Sequence, residues 1–373
     1  MNLLMLSLDP SAAEGRRGAF YYMLEEFHRY WDRVDVVTPP VGEFRCEKAF
    51  DNVFFHPVRG SRLLRVRRIV RKAEGLFAQR RYDFMTAQES GLFQNGRAAW
   101  RLRHAGGPAY FSEFHGIAGW PRAANLRAMI ERGLTRRYLR RYAGRHPFFR
   151  VVNAFEMPEF LKSAGVPGEK IRVVPSGFVD LETFRPTGEG KVYDVSCVGR
   201  LVAGKGYELV IGAAAILAAK RPSLRVAIVG EGPRRRRLQS LARKLGVAGN
   251  VTFLGRSSRS AEIARTLNQS MVFAMTSASE GGPRTTLEAM ACATPVVTTR
   301  VGIMHEVIED GVNGFFVDWD PAEIAGRIER LLEDEPLRKS MGEAGLASVQ
   351  RFRRQDVIRD YALACQRLAQ EGR

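Results

Sequence analysis

Short apolar runs rich in branched and aromatic residues alternate along the whole chain with segments whose apolar positions recur at helical spacing. Parallel strands need a crossover segment, usually a helix, to bring the chain back, so this alternation predicts an α/β fold with parallel sheets. In the first half the predicted strands are Leu3 to Leu8, Val34 to Thr38, Val53 to Val58, Tyr82 to Thr86, Ala109 to Glu113, Phe149 to Val152 and Ile171 to Val174. A second series runs through Val192 to Val198, Leu224 to Val229, Val251 to Leu254, Met271 to Met275, Pro295 to Thr298 and Gly314 to Val317.

Between the two series lies Phe184-Arg-Pro-Thr-Gly-Glu-Gly-Lys191, which has the Pro and Gly content of a linker. At 373 residues the chain exceeds the size at which one hydrophobic core keeps growing. Two domains are therefore expected, 1–186 and 187–350, followed by a terminal segment, 351–373, with helical periodicity from Gln355 to Leu368.

Apolar residues make up 45% of the chain and charged residues 26%, fractions that argue for a folded chain rather than a disordered one. No apolar run approaches the roughly 18 to 20 residues needed to cross a bilayer. The longest, around Leu209 to Ala219, is interrupted by Gly212. The start, Met1-Asn-Leu-Leu-Met-Leu-Ser-Leu8, lacks a positive region and a small-residue cleavage site, and reads as a buried first strand rather than a signal peptide. Cys46, Cys197, Cys292 and Cys365 stand far apart in apolar stretches, the pattern of small core residues rather than of a zinc or redox site. A reducing, cytoplasmic location is expected.

Charge changes this picture. The formal net charge is +18, and two stretches carry much of it: Arg59 to Arg81 and Arg122 to Arg150 each hold nine basic residues and one acid. Both are predicted as helices. In the second, Leu126, Ile130, Leu134 and Tyr138 recur every four residues and form an apolar stripe among arginines. Such helices suit an anionic membrane surface, with the inner face of the membrane as the expected place, or else pack their stripe in the core and leave a solvated basic face. Nucleic acid is not expected as a partner, since interleaved aromatics and base-reading motifs are missing.

Chemistry concentrates in the loops that follow strands of the second series, where open α/β sheets bind ligands. Gly199-Arg200 and Gly204-Lys205-Gly206 offer backbone amides and two cations to a diphosphate. Gly230-Glu231-Gly232-Pro233 is a further tight turn after a strand. Ser279-Glu280-Gly281-Gly282-Pro283-Arg284-Thr285-Thr286-Leu287-Glu288-Ala289-Met290-Ala291 places Glu280 on a glycine turn and Glu288 within the helix that follows. Amides at Gly281, Gly282 and the helix start favour an anion, and carboxylates accept from sugar hydroxyls without a metal. No metal-ligand spacing is present. Asp318-Trp319-Asp320 imitates a metal motif, but Asp320-Pro321-Ala322-Glu323 reads better as a capped helix start.

Taken in order, the Gly-Arg and Lys-Gly loop, the two glutamates eight positions apart followed by Ala-Met-Ala, and Val301-Gly-Ile-Met-His-Glu-Val-Ile-Glu-Asp-Gly-Val-Asn-Gly314 resemble the donor domain of retaining glycosyltransferase family four. The match runs over about Val195 to Glu333. The resemblance implies the GT-B architecture, two Rossmann-like lobes with parallel sheets and an inter-lobe cleft, and a terminal helix crossing back to the first lobe. It implies a metal-independent hexosyltransferase without a cofactor, using a nucleotide diphosphate sugar, a UDP- or GDP-sugar, and a lipid-linked or saccharide acceptor. It assigns Arg200 and Lys205 to the diphosphate, Glu280 to the transferred sugar, Glu288 to the ribose, and Gly230 and Arg256 to the surroundings of the base.

In the first domain the resemblance is looser. Phe111-Ser-Glu-Phe-His115-Gly116 falls at the carboxyl end of a strand, where relatives carry a His-Gly near the donor sugar. Gly15 and Gly18 follow the first strand, where relatives have a glycine loop beside the diphosphate, but Arg16 and Arg17 interrupt it. Val174-Pro175-Ser176-Gly177-Phe-Val-Asp180 departs from the usual Pro-Asn-Gly-Val-Asp. The alternatives are a soluble tailoring glycosyltransferase acting on a small molecule and a nucleotide-sugar epimerase of the same architecture.

Overall fold

The computed structural model describes residues 1–371 apart from Ser258, and for Arg62 only the backbone. It forms two compact units. One comprises Met1–Gly116, Gly133–Ser176 and the last helix from Gln355 onward; the other comprises Ile117–Arg132 and Gly177–Arg354.

The first unit is built on an eight-stranded sheet. Its strands are β1 (Asn2–Leu6), β2 (Arg33–Thr38), β3 (Lys48–Ala49), β4 (Val53–Pro57), β5 (Phe84–Gln88), β6 (Tyr110–Phe114), β7 (Phe148–Val151) and β8 (Ile171–Val173). Their spatial order is β3-β4-β2-β1-β5-β6-β7-β8, and every pairing is parallel except β3 with β4. Leu4, Leu6, Val37, Met85 and Tyr110 from the strands pack with Ile69, Ala73, Ala98 and Leu102 from helices.

The second unit carries a six-stranded, wholly parallel sheet: β9 (Tyr193–Val198), β10 (Val226–Val229), β11 (Val251–Gly255), β12 (Ser270–Met275), β13 (Val296–Thr299) and β14 (Phe315–Val317), ordered β11-β10-β9-β12-β13-β14. Strands covered on both faces must be apolar on both sides, which is why Val195, Cys197, Ile228, Val272 and Val297 all lie in one core with Ile211, Leu217 and Ile324 of the flanking helices. Strand order reverses between β9 and β12, and it is at the carboxyl edge beside such a switch point that open α/β sheets bind ligands.

Several expectations need correction. The domain boundary does not fall at 186: residues 177–186 and 117–132 group with the second unit, and the first unit regains the chain at 355, not 351. Far from being a free linker, the 184–191 stretch is tied down by Asn268. Thr187 N donates to Asn268 Oδ1 at 3.0 Å, Asn268 Nδ2 donates to Arg185 O at 3.0 Å, and Lys191 Nζ donates to Asn268 O at 2.8 Å.

The basic stretches are also shorter as helices than predicted. They form Arg65–Phe77, after a 3-10 turn at Arg62–Leu64, and Leu126–Tyr142. In the first, Val66, Ile69, Ala73 and Leu76 are buried and the cations Arg67, Arg68, Arg71 and Lys72 are exposed. In the second, Leu126, Met129, Ile130 and Leu134 are exposed, and only its latter part, with Tyr138, is buried. Arg150 is not a surface cation at all; it lies within β7 and is 1% exposed. Among the described residues no helix is long and apolar enough to cross a membrane. Cys197, Cys292 and Cys365 are buried as predicted, whereas Cys46 is only half-buried.

Candidate active site

In the second unit the loops after β9, β10 and β12 are knitted to one another at the carboxyl edge of the sheet. Ala278 N donates to Gly204 O at 2.7 Å, and Thr276 Oγ1 donates to Gly206 O at 2.8 Å. Gly206 has φ 71°, and a Cβ there would lie 2.0 Å from Thr276 O, so only glycine lets the two loops approach. On the other side of β9, Leu201 N donates to Glu231 O at 2.9 Å. Gly230 has φ 147°, and its Cβ would lie 1.8 Å from Gly199 O.

This knitting brings Lys205 to Glu280. Lys205 Nζ donates to Glu280 Oε1 at 2.5 Å, and Ser277 Oγ donates to the same oxygen at 2.8 Å. Both partners stay reachable, their side chains being 30% and 14% exposed. Arg200, five residues before Lys205, is exposed, and its guanidinium has no partner among the described residues. Arg256, just after β11, is exposed and free in the same sense. The unit thus presents a compensated cation and an uncompensated one on a single glycine loop.

Glu288 sits inside the Arg284–Ala291 helix, 3% exposed, with Arg284 Nε 3.0 Å from its Oε1. Burial raises its pKa, while the Arg284 guanidinium opposes that rise. Gly281 and Gly282 precede the helix, whose N-terminus has Pro283 at the cap and no side-chain cap hydrogen bond. Asp320 caps the Pro321–Glu333 helix, accepting from Ala322 N at 3.1 Å, and Glu323 Oε2 accepts from Asp318 N at 2.7 Å, so Asp318-Trp319-Asp320 serves the helix start as predicted. Among the described residues no group of three or more His, Cys, Asp or Glu is placed to hold a metal ion.

Residues that the sequence reading passed over complete this edge. Ser277 is one, and its carbonyl accepts from Trp319 Nε1 at 3.0 Å. Arg122 is another: its N–H donates to Ala278 O at 3.2 Å and its guanidinium lies 4.8 Å from the Trp319 ring centroid. Neither carried a motif; a search for polar residues directly after strands finds Ser277 but not Arg122.

His115 and Gly18 belong to the first unit. Gly18 is the cap of the Ala19–Phe27 helix in extended backbone, and a Cβ there would meet nothing within 4 Å, so local conformation does not demand glycine; at Gly15, φ 75° does favour it. His115 follows β6 and is 44% exposed, with Nε2 3.1 Å from Glu113 Oε2. Glu113 is 1% exposed and also accepts from Arg150 Nη1 at 3.0 Å and Tyr361 Oη at 2.7 Å. Burial alone would raise the pKa of Glu113, but Arg150, His115 and Tyr361 together hold it below the usual value. The neighbouring Glu89, whose N–H donates to Glu113 O at 2.8 Å, has the opposite fate. Burial pushes it up to about 7 although Ser112 and Tyr138 each donate to it at 2.7 Å. Behind Tyr138 lies His146, bonded at 2.8 Å and lowered by burial to about 3.

Residues 19–182 match the family described as Glycosyltransferase Family 4, and residues 181–347 match Glycosyl transferases group 1. The D-inositol 3-phosphate glycosyltransferase of Segniliparus rotundus is 33% identical over 219 residues, covering 55% of this chain and 48% of that protein. The protein of the same name from Pseudarthrobacter chlorophenolicus is 30% identical over 294 residues, 72% of this chain and 67% of its own length. The chain spans about half the length of the first of these relatives. Among solved structures, sucrose-phosphate synthase from Thermosynechococcus elongatus superposes with a TM-score of 0.84 at 19% identity over 99% of both chains. Anabaena HepE, solved with UDP-glucose, gives 0.74 at 21% identity over 98% of this chain and 100% of its own. With one family matched along its first half and the other along its second, the chain belongs to glycosyltransferase family 4, the enzymes of GT-B fold that carry a glycosyl transferases group 1 domain.

Proposed function

We propose that the chain moves a sugar from a nucleoside diphosphate sugar, a UDP- or GDP-sugar, to a hydroxyl of a lipid-linked or saccharide acceptor, with retention at the anomeric carbon, in the synthesis of a glycan, polysaccharide or glycolipid. The observation that carries this reading is the Lys205–Glu280 pair, a cation and a carboxylate side by side at the point where strand order reverses. A sugar diphosphate asks for both within a short reach, cations for the phosphates and an acceptor for the sugar hydroxyls.

In this scheme Arg200 and Lys205 grip the diphosphate, with the amides of Gly281 and Gly282 and the adjoining helix N-terminus adding donors. Glu280 accepts from hydroxyls of the transferred sugar, Glu288 from the ribose, and Gly230 and Arg256 flank the base. Gly18 and His115 serve the diphosphate and the sugar from the first unit. As the bond between the anomeric carbon and the phosphate oxygen breaks, Arg200 and Lys205 stabilise the charge growing on the leaving diphosphate. The acceptor oxygen bonds to the same face of that carbon, and its proton passes to the leaving phosphate oxygen. Glu280 positions and stabilises; it does not attack.

The test is turnover. The wild type is incubated with a panel of nucleotide sugars and acceptors, and release of nucleoside diphosphate is measured with and without acceptor. Acceptor-dependent release supports transfer, whereas an epimerised donor formed without any acceptor assigns the chain to the epimerase class. Turnover on small soluble acceptors alone assigns it to tailoring.

The exposed Leu126, Met129, Ile130 and Leu134, flanked by exposed Arg127, Arg137, Arg140 and Arg141, support a second element of the proposal, contact with an anionic membrane surface. Leu63, 94% exposed, adds an apolar group at the start of the other basic helix.

A further inference from the structure

The sugar-transfer reading gives His115 a place but no chemical state, and the residues packed behind it supply one. Along β6 successive side chains alternate sides, so Glu113 and His115 come from the same face, one at the strand's end and the other just past it. The carboxylate is buried and held at both oxygens. Tyr361 Oη donates to Oε1 at 2.7 Å; Arg150 Nη1 at 3.0 Å and His115 Nε2 at 3.1 Å share Oε2.

The clamp is itself held by further contacts. Arg150 Nε donates to Val174 O at 3.1 Å and Nη2 to Pro175 O at 3.0 Å, and its guanidinium lies 3.9 Å from the Tyr361 ring centroid. Glu113 therefore cannot rotate away from His115 without leaving a buried arginine uncompensated, which costs several kcal/mol in general.

We infer that Glu113 is a positioning residue that fixes the His115 ring as its Nε2–H tautomer, so that Nδ1 is presented as a hydrogen-bond acceptor for a hydroxyl of the sugar or of the acceptor substrate. The inference rests on the placing of His115 in the proposed reaction. An ionised carboxylate can only accept, so the ring nitrogen facing it carries the hydrogen. In the neutral ring the other nitrogen then carries the lone pair. Nδ1 has no partner among the described residues, and the ring is 44% exposed. With Arg150 already balancing the charge of Glu113 and Tyr361 filling its other oxygen, the half-exposed imidazole is not needed to satisfy the carboxylate; the carboxylate orients the imidazole.

Imidazole 15N spectroscopy of the wild type, at a pH where the rings are neutral, tests this without reference to activity. The His115 signals are assigned as those missing from His115→Gln. A protonated Nε2 and an unprotonated Nδ1 are expected; a protonated Nδ1 overturns the inference. In Glu113→Gln the fixed tautomer gives way to a mixture, and kcat falls by about tenfold with KM little changed. A folded Glu113→Gln protein with the wild-type tautomer also overturns it. Tyr361→Phe, which keeps the carboxylate, retains the tautomer. Should Glu113→Gln fail to fold, the wild-type spectrum decides. Full transferase turnover in His115→Gln removes the hydroxyl contact, while no turnover in any protein, wild type included, marks failure of the transferase reading instead.

Discussion

Lys205 Nζ lies 2.5 Å from Glu280 Oε1, so in the proposed site the cation for the diphosphate is paired with the carboxylate for the sugar, and a bound diphosphate would compete for it. Glu280→Gln removes that competition. The variant is expected to bind the bare nucleoside diphosphate a few-fold more tightly than the wild type, a modest gain because both groups are partly solvated. Its turnover of the nucleotide sugar falls at the same time. Calorimetric titration with the nucleotide, alongside steady-state kinetics, measures both; weaker nucleotide binding in Glu280→Gln contradicts the relation.

Glycines at the second unit's sheet edge divide from Gly18 in what a side chain would do. Gly230→Ala forces a Cβ to 1.8 Å from Gly199 O, and Gly206→Ala forces one to 2.0 Å from Thr276 O, each at a positive φ. Both are expected to lower Tm and to weaken nucleotide binding together. Gly18→Ser leaves Tm unchanged or higher, since serine caps a helix at least as well and space is open. A lost affinity in Gly18→Ser at unchanged Tm places a ligand at that glycine. Thermal unfolding with and without nucleotide reads all three.

Glu89 makes stability depend on pH. Its native pKa of about 7 stands above the unfolded value of about 4.3, so the folded state holds the proton more tightly and stability is lost as pH rises through that window. Glu89→Gln keeps acceptors for Ser112 and Tyr138 and removes the titration. Relative to the wild type, the variant is expected to gain stability between about pH 4.5 and about pH 7, with a slope of at most roughly 1.4 kcal/mol per pH unit. His146, lowered by burial to about 3 from about 6.5, gives a slope of opposite sign in the wild type over much of that range, so the difference between the proteins is the quantity to measure. Denaturant unfolding across that pH range does so; a constant difference contradicts the buried, protonated Glu89.

Membrane contact predicts salt-sensitive co-sedimentation with vesicles containing anionic lipid. Each exposed arginine near the surface contributes on the order of 1 kcal/mol, screened as ionic strength rises. Arg137→Glu with Arg140→Glu, or Leu126→Ser with Ile130→Ser, is expected to release the protein from vesicles without changing turnover on a soluble acceptor. Full activity with no vesicle binding at low salt removes the membrane clause.

The central strands of the second unit were legible where, as in β10 and β12, cover on both faces makes them read as nearly unbroken apolar runs. β3, two residues long, has no period to detect. The loops proposed to hold the donor stood out in the sequence because their chemistry is local: Lys205 and its glycines lie within a few positions, and Glu280 and Glu288 are eight apart. Arg150 was misread because an arginine among arginines looks like surface. Its partner Glu113 is 37 residues away, and Tyr361 meets Glu113 across 248, separations at which no periodicity speaks. Asn268 likewise turned an apparent linker into fixed chain through bonds spanning 81 and 77 residues.

Calorimetric titration of UDP and of GDP into the wild type and into Arg200→Ala with Lys205→Ala is the most direct measurement on the carboxyl edge of the second sheet. Each charged hydrogen bond lost is worth about 1.5 to 3 kcal/mol. The double variant is therefore expected to lose at least about a hundredfold in affinity for whichever nucleotide the wild type binds, with Tm of the free protein unchanged. Affinity that survives both substitutions, or a wild type that binds neither nucleotide, contradicts a donor site built on these residues.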